Sequence, residues 1–275
     1  MSSGRYHRFF RKLRKHQVEM KDALPLAIFN LDAVSGHIIA NGFFDKKALE
    51  SLVVQLEVEG LCVQKKIFLD IGANIGNHSV FLADYFDSVV AFEPHPRTFK
   101  LLQANAFLKS NIVCKNVALG SVKAKMHIST NFQNMGRNRV TTTANLNSFE
   151  IDVVRIDDVI KEFGQSEIGL VKIDVEGFEV EVLRGGEEFF KKFSPPTILE
   201  ILPDEIFDGT SQSLELLRSF GYNKFSIFEE LPNKMTLVSA LSSPFASLRD
   251  RPSGFYPIGS KLPNKEIPML LALKV

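Results

Sequence analysis

Two periodicities divide the chain. Over residues 46–59, Leu49, Leu52, Val53 and Leu56 recur at three- and four-residue spacing, the stripe of a helix that buries one face. From Lys66 the pattern changes to short, wholly apolar runs alternating with helical stretches. Residues 67–69 lead into a glycine-rich turn and a helical pattern over 78–86. Ser88–Phe92 precedes a helix over 96–108, and 112–118 reads as a third strand. Residues 170–173 and Thr197–Ile201 flank a helix over 178–191. Strands apolar on both faces, alternating with helices, predict a parallel α/β sheet covered on both sides, and right-handed crossovers wind it doubly.

The flanks are less regular. Residues 26–44 read as two short strands hinged at Val34-Ser35-Gly36-His37, a hairpin lead-in. Residues 123–130 and 140–143 are strand candidates around a polar loop at 131–138. Further strand-like pieces lie at 225–228, 237–240 and 269–273, with Ser242-Ser243-Pro244 and Arg251-Pro252-Ser253-Gly254 as surface loops. The expected organisation is an arm over 1–22, a lead-in of hairpin and helix over 23–62, and one domain over 63–275.

Composition adds exclusions. The 275 residues are 45% hydrophobic and 24% charged with a formal net charge of +1, an ordinary globular profile that needs no metal or disulfide to fold. Cys62 and Cys114 stand far apart and make no cysteine cluster, which fits a reducing cytoplasm. No run approaches the roughly 18 apolar residues of a membrane span, nor the apolar core of a signal peptide, so a soluble cytoplasmic protein is expected. Charge is concentrated at one end: Arg5, Arg8, Arg11, Lys12, Arg14, Lys15 and Lys21 face only Glu19 and Asp22. With Tyr6, Phe9, Phe10 and Leu13 at near-helical spacing, residues 5–21 could touch an anionic surface peripherally. As a loose, solvated tail they would do nothing further.

The candidate chemistry lies at strand ends. After the first strand comes Asp70-Ile-Gly72-Ala-Asn74-Ile-Gly76-Asn77, whose glycines admit close backbone approach and left-handed torsions. The following helix start offers free N–H groups to an anion, which for S-adenosylmethionine would be the methionine carboxylate. About twenty residues on, the second strand ends in Glu93-Pro94, where an acid would hold a ribose diol. The loop is D-x-G-x-x-x-G rather than the G-x-G-x-x-G of dinucleotide sites, so adenosylmethionine is favoured over NAD.

At Leu170-Val-Lys172-Ile-Asp174-Val-Glu176-Gly177-Phe-Glu179-Val-Glu181-Val-Leu183-Arg184-Gly185-Gly186 the sequence resembles the FkbM family of methyltransferases. The segments at 70–79, 92–96, 116–120, 154–160 and 198–201 match that family in the same order, so the resemblance covers about 66–202. It implies a class I methyltransferase fold, a Rossmann-like, mostly parallel seven-stranded sheet, and methyl transfer from S-adenosylmethionine to an oxygen. The acceptor would be a saccharide or other small hydroxylated metabolite. By this resemblance Asp70, Gly72, Asn74, Gly76, Asn77, His78, Glu93 and Pro94 line the cofactor. Asn116 and Ala118 lie beside its adenine, and Asp174 and Glu176 face the reacting methyl.

The residues themselves support Asp174, since a carboxylate ending an apolar strand is costly to bury without a purpose. Asp174 ranks first as general base, with Glu176 and His78 behind it; the helix dipole should keep His78 neutral. His95, between two prolines, reads as structural, and His37 and His127 as surface or loop residues. Asp174, Glu176 and Glu200 could hold a hard cation. Lys172 and Arg184 offer themselves as ion-pair partners instead, so no metal is expected. Glu179 and Glu181 read as the solvated face of their helix, and Arg184 with Gly185-Gly186 as its end. Two rival roles remain: an RNA or protein methyltransferase docked through the arm, and a non-catalytic cofactor-binding adaptor. No specific nucleic acid is expected, because no amine-stabilising N-P-P-Y tetrapeptide follows Ile173.

Overall fold

The computed structural model describes residues 24–30, 32–130, 138–144, 146–163, 167–230, 253–259 and 261–275. The basic arm, the strand expected at 237–240 and most of the loop at 131–138 lie outside them.

The main sheet starts with β1 (Ile67–Ile71), β2 (Ser88–Phe92) and β3 (Ile112–Lys115), linked by α3 (Asn77–Leu82) and α4 (Pro96–Ala106). It continues with β8 (Ile168–Ile173), α6 (Glu179–Gly185), α7 (Glu187–Phe193), β9 (Thr197–Ile201) and α8 (Gln212–Ser219). It closes with β10 (Lys224–Glu229), β11 (Gly254–Pro257) and β12 (Ile267–Leu273). The strand order is β11-β10-β12-β9-β8-β1-β2-β3, parallel from β9 to β3 and antiparallel at the other edge.

Successive residues of β1 serve opposite layers, as a doubly wound sheet requires. Ile67, Leu69 and Ile71 join Val182, Leu183, Phe189, Phe190, Leu214 and Leu217 on one face. Phe68 joins Leu49, Leu52, Leu56 and Val80 on the other. Leu49, Leu52 and Leu56 belong to α2 (Lys46–Val58), and each is 0–1% exposed. Burying each contributes roughly 1.5–3 kcal/mol, which fastens the lead-in to the sheet. The chain runs outward from β1 through β2 to β3, then returns at β8 on the other side. The switch point between the carboxyl ends of β1 and β8 is where an open sheet opens a crevice.

Several expectations change. The lead-in is not a hairpin: α1 (Ala33–Asn41) is a helix, ended by Gly42 in a left-handed conformation with its N–H on Ile38 O. Its short apolar pattern suits either element, and burying Ser35 and Ile38 on one turn decides for the helix. Among the described residues the sheet has eight strands rather than seven, the extra edge strand β11 starting at Gly254, where the surface loop read at 251–254 ends. The expected third strand at 112–118 is split: β3 ends at Lys115, and β4 (Ala118–Leu119) enters a second sheet.

That second sheet has the order β4-β7-β5-β6, with β5 (Ala124–Ser129), β6 (Val140–Thr141) and β7 (Ser148–Val154). β7 alternates cleanly: Ile151 and Val153 are buried, while Glu150 and Asp152 reach Lys125 on the outer face at 3.4 and 2.9 Å. The expected helix over 178–191 breaks at Gly185-Gly186, because a Cβ on Gly185 would sit 1.9 Å from Gly120 O. Between β7 and β8 lies α5 (Ile156–Val159). Among the described residues no helix is long and apolar enough to cross a membrane.

Candidate active site

The carboxyl ends of β1 and β8 are bound together by charge. Asp70 and Lys172 are register partners across the two strands. Both are buried in otherwise apolar strands, and their separation is 3.3 Å. The Lys172 ammonium also lies 3.1 Å from Asp174 Oδ2 and 3.3 Å from Gly72 O, so three acceptors surround a group with three protons. Burial opposes its charge, but Asp174 and Asp70 outweigh that and hold the ammonium above its ordinary range. Ser79 Oγ, from α3, donates to the other oxygen of Asp70 at 2.6 Å.

The two loops beyond these strands pack backbone to backbone. Asp174 N donates to Ile71 O at 3.1 Å, and a Cβ on Gly72 (φ 79°) would meet Asp174 O at 1.8 Å. Only glycine fits there, for packing as much as for torsion. Gly76 (φ 86°) has the same role against α4, since its Cβ would lie 2.7 Å from Leu102.

Above the loops lies a cavity of about 290 Å³, roofed by Val140 and Ile128 of the second sheet. Gly72, Asn74, Asn77, His78, Glu93, Pro94, Ala118, Asp174 and Glu176, all candidates from the sequence, line it together. Asp70, Gly76 and Asn116 do not. Asp70 lies beneath the loop, Gly76 packs on α4, and Asn116 donates to Glu93 O and Pro94 O at 2.8 and 3.1 Å, fixing the strand end from outside. Asn77 both lines the cavity and pins the lead-in, accepting from Phe44 N at 2.9 Å and donating to Phe44 O at 3.0 Å.

Glu93 is 7% exposed, and its two oxygens accept from Asn74 N at 3.0 Å and His95 N at 2.8 Å. Burial pushes its carboxyl up to about 7 against those hydrogen bonds and the Lys172 charge. His95 is structural, as expected. Fully buried, it caps α4 by accepting from Thr98 N at 3.4 Å, and its Nε2 lies 3.0 Å from Thr130 Oγ1.

His78 is held neutral by burial and then by the Lys172 charge, its pKa lowered to about 4. Those causes replace the helix dipole invoked from the sequence. Its Nε2 is buried without a hydrogen-bond partner, as is Asn74 Oδ1. Both residues line the cavity, so these two polar atoms are available to a hydrogen-bonding ligand.

A second cleft of about 280 Å³ adjoins the first and shares Phe44, His78, Lys172, Asp174, Glu200 and Glu266 with it. His37 and Asp45 also line it; His37 is exposed at the surface, as expected, on α1 rather than a loop, and lies edge-on to Phe44 at 5.5 Å. Burial, then the Asp174 charge, raise Asp45 to about 6. Glu200 is driven above the carboxylate range by burial and by the Asp174 charge. Asp174, despite its burial, is kept below its ordinary value chiefly by Lys172. Ligand atoms of Asp174, Glu176 and Glu200 come within 4.8 Å of one another, a geometry open to a cation, with Lys172 already against Asp174.

Three non-glycine residues with left-handed torsions border these cavities: Asp45 (φ 55°), Asn74 (φ 52°) and Glu176 (φ 57°). Such strain gathers at binding sites. Sequence reasoning missed Asp45 and Glu266 altogether and took Lys172 only as an ion-pair partner. The available signal was Lys172 itself, a charge inside the apolar run 170–173. Glu179 was misread: it is 1% exposed and faces the protein, not solvent.

Comparison with known proteins follows the same residues. The profile of the Methyltransferase FkbM domain matches residues 70–224, more than half of the chain. The hexuronic acid methyltransferase AglP of Haloferax volcanii is 29% identical over 119 residues, 43% of this chain. The chain spans about half of that relative's length, 49%. The 31-O-demethyl-FK506 methyltransferase FkbM of Streptomyces tacrolimicus is 28% identical over 191 residues, covering 57% of this chain and 72% of that protein. Among solved structures, methyltransferase FkbM from Methylobacillus flagellatus KT aligns with a TM-score of 0.38 at 17% identity, over 78% of this chain and 51% of that one.

Proposed function

The chain belongs to the FkbM methyltransferase family, and on that premise we propose that it is an S-adenosylmethionine-dependent O-methyltransferase. Its acceptor is a hydroxyl on a saccharide or other small polyhydroxylated metabolite. One observation carries the reading: a nucleoside-sized cavity lined by Glu93 adjoins a carboxylate-lined cleft, and Asp174 borders both.

The residues fit the methyl donor. Glu93 keeps lone pairs for a ribose diol, Ala118 and Leu119 give an apolar shelf, and Asn74 Oδ1 and His78 Nε2 await partners. When bound, that donor supplies an electrophilic methyl for a single displacement. The chain's task is then to align, to exclude water and to take one proton. Asp45, Asp174 and Glu266 accept hydrogen bonds from hydroxyl groups and orient the nucleophile.

Asp174 receives the proton at its carboxylate. Its low pKa is no obstacle, because a methylated, still-protonated hydroxyl is a far stronger acid than any carboxylic acid. His78, neutral and facing both cavities, holds the acceptor's position. Lys172 supplies the site's positive charge, so no catalytic metal is called for.

Labelled methyl transfer to neutral saccharides and polyols tests the proposal. The expected product is an ether methyl that survives mild base. No transfer to any of these hydroxyls, with transfer to a carboxylate or an amine offered in parallel, overturns it. AglP's name specifies hexuronic acid, and methylation of an uncharged hydroxyl here would mark a different acceptor preference.

A further inference from the structure

The turn that carries Asp174 and Glu176 has an anchor that the proposed chemistry does not use. Glu179, the first residue of α6, is 1% exposed, and its Oε1 accepts from Val175 N at 3.0 Å and Gly177 N at 3.2 Å. Those two amides bracket Glu176, which stands at φ 57°, with Gly177 following at φ 96°. Two consecutive left-handed residues, one with a side chain, do not persist unless the surroundings impose them. A single carboxylate oxygen bonded to both flanking amides imposes them here.

The consequence reaches the other loop. Asp174 O fills the space a side chain on Gly72 would need, and Val175 Cγ1 lies 3.1 Å from the same point. Movement of the 174–177 turn therefore moves the floor under Gly72. On the far side stands the 3₁₀ turn Pro203–Glu205 that follows β9. Glu176, Gly177, Leu202, Asp204 and Glu205 then line one shallow cleft of about 220 Å³ beside the main cavity.

We propose that Glu179 is the positioning residue of this site: its carboxylate holds the 174–177 turn and so fixes Asp174 and Glu176 toward the cavity. The geometry of the latch stands by itself; its value for methyl transfer rests on the function proposed above. A glutamine keeps the oxygen that both amides need, an alanine removes it, and an aspartate is one methylene too short to reach.

Amide hydrogen exchange on full-length Glu179→Gln, Glu179→Asp and Glu179→Ala, alongside calorimetry with S-adenosylmethionine, tests this. Exchange over 174–178 should speed at least tenfold in the Ala and Asp variants and stay within twofold of wild type in Gln, with 168–173 still protected in all three. Cofactor affinity should weaken several-fold in Ala and recover in Gln. Unchanged exchange at 174–178 in Ala and Asp overturns the proposal, as does a Gln variant as exchangeable as Ala. If Ala does not fold, the Asp and Gln pair decides alone. Should wild type bind no S-adenosylmethionine, the functional reading fails, while the exchange data still decide whether Glu179 holds the turn.

Discussion

Lys172 and Asp174, two positions apart at the end of β8, lie 3.1 Å from each other, and the same ammonium lies 3.3 Å from Asp70 on β1. One buried cation thus joins the two strands whose divergence opens the site. Removing a single partner from such a group leaves uncompensated charge, which costs roughly 3–5 kcal/mol. Lys172→Met should therefore lower the denaturant midpoint strongly. A loss under about 1 kcal/mol would show that the carboxylates find other partners.

Glu93 makes cofactor affinity depend on pH. Its carboxyl titrates near 7, and only the ionised form accepts from both hydroxyls of a diol. Affinity measured by calorimetry should be flat above about pH 8 and fall below 7, by up to tenfold per unit. Stability of the free protein runs the other way. The folded state holds this proton more tightly than the unfolded chain, so stability is fullest below about 4.5 and declines as pH rises through 7. Glu93→Gln should remove both slopes, and a wild-type affinity that ignores pH would assign the diol to another residue.

Asp174 is expected to serve the reaction more than cofactor binding. Asp174→Asn keeps the shape but cannot take the proton, so turnover should fall about 10²–10⁴-fold. The dissociation constant for S-adenosylmethionine should change far less. Equal losses in both would make Asp174 a structural acid, a partner for Lys172 and nothing more.

Acceptor charge should matter because Asp45, Asp174 and Glu266 face one cleft with Lys172 already engaged. Neutral glycosides should be methylated with a higher kcat/KM than the matching uronates, and Glu266→Gln should narrow the gap. A preference for the uronate would contradict the carboxylate-lined cleft as the acceptor site. Activity should also survive excess chelator, since Lys172 rather than a divalent ion balances these carboxylates.

Much of this was legible because the signals are local. The short runs at 67–69, 88–92 and 197–201 alternate with helical stretches and so read as doubly buried strands, and Asp70–Gly76 with Glu93 marks the crevice between them. The lead-in was not legible: 33–41 suits helix or strand, and the burial of Ser35 and Ile38 in the folded chain decides. β7 was overlooked despite its clean alternation. Glu179 was misjudged because a charge on a helix reads as solvated unless the positive torsions of the preceding turn are known. Asp45 and Glu266 join the site from segments more than two hundred residues apart, which no local pattern can announce.

The central claim, a methyl-donor site closed by Glu93, meets its most direct test in calorimetry of the full chain with S-adenosylmethionine and, separately, with NAD. Saturable binding of S-adenosylmethionine, none of NAD, and a loss of roughly 1.5–3 kcal/mol in Glu93→Ala are expected from losing hydrogen bonds to a charged group. Binding of NAD, or no binding of S-adenosylmethionine, would contradict it.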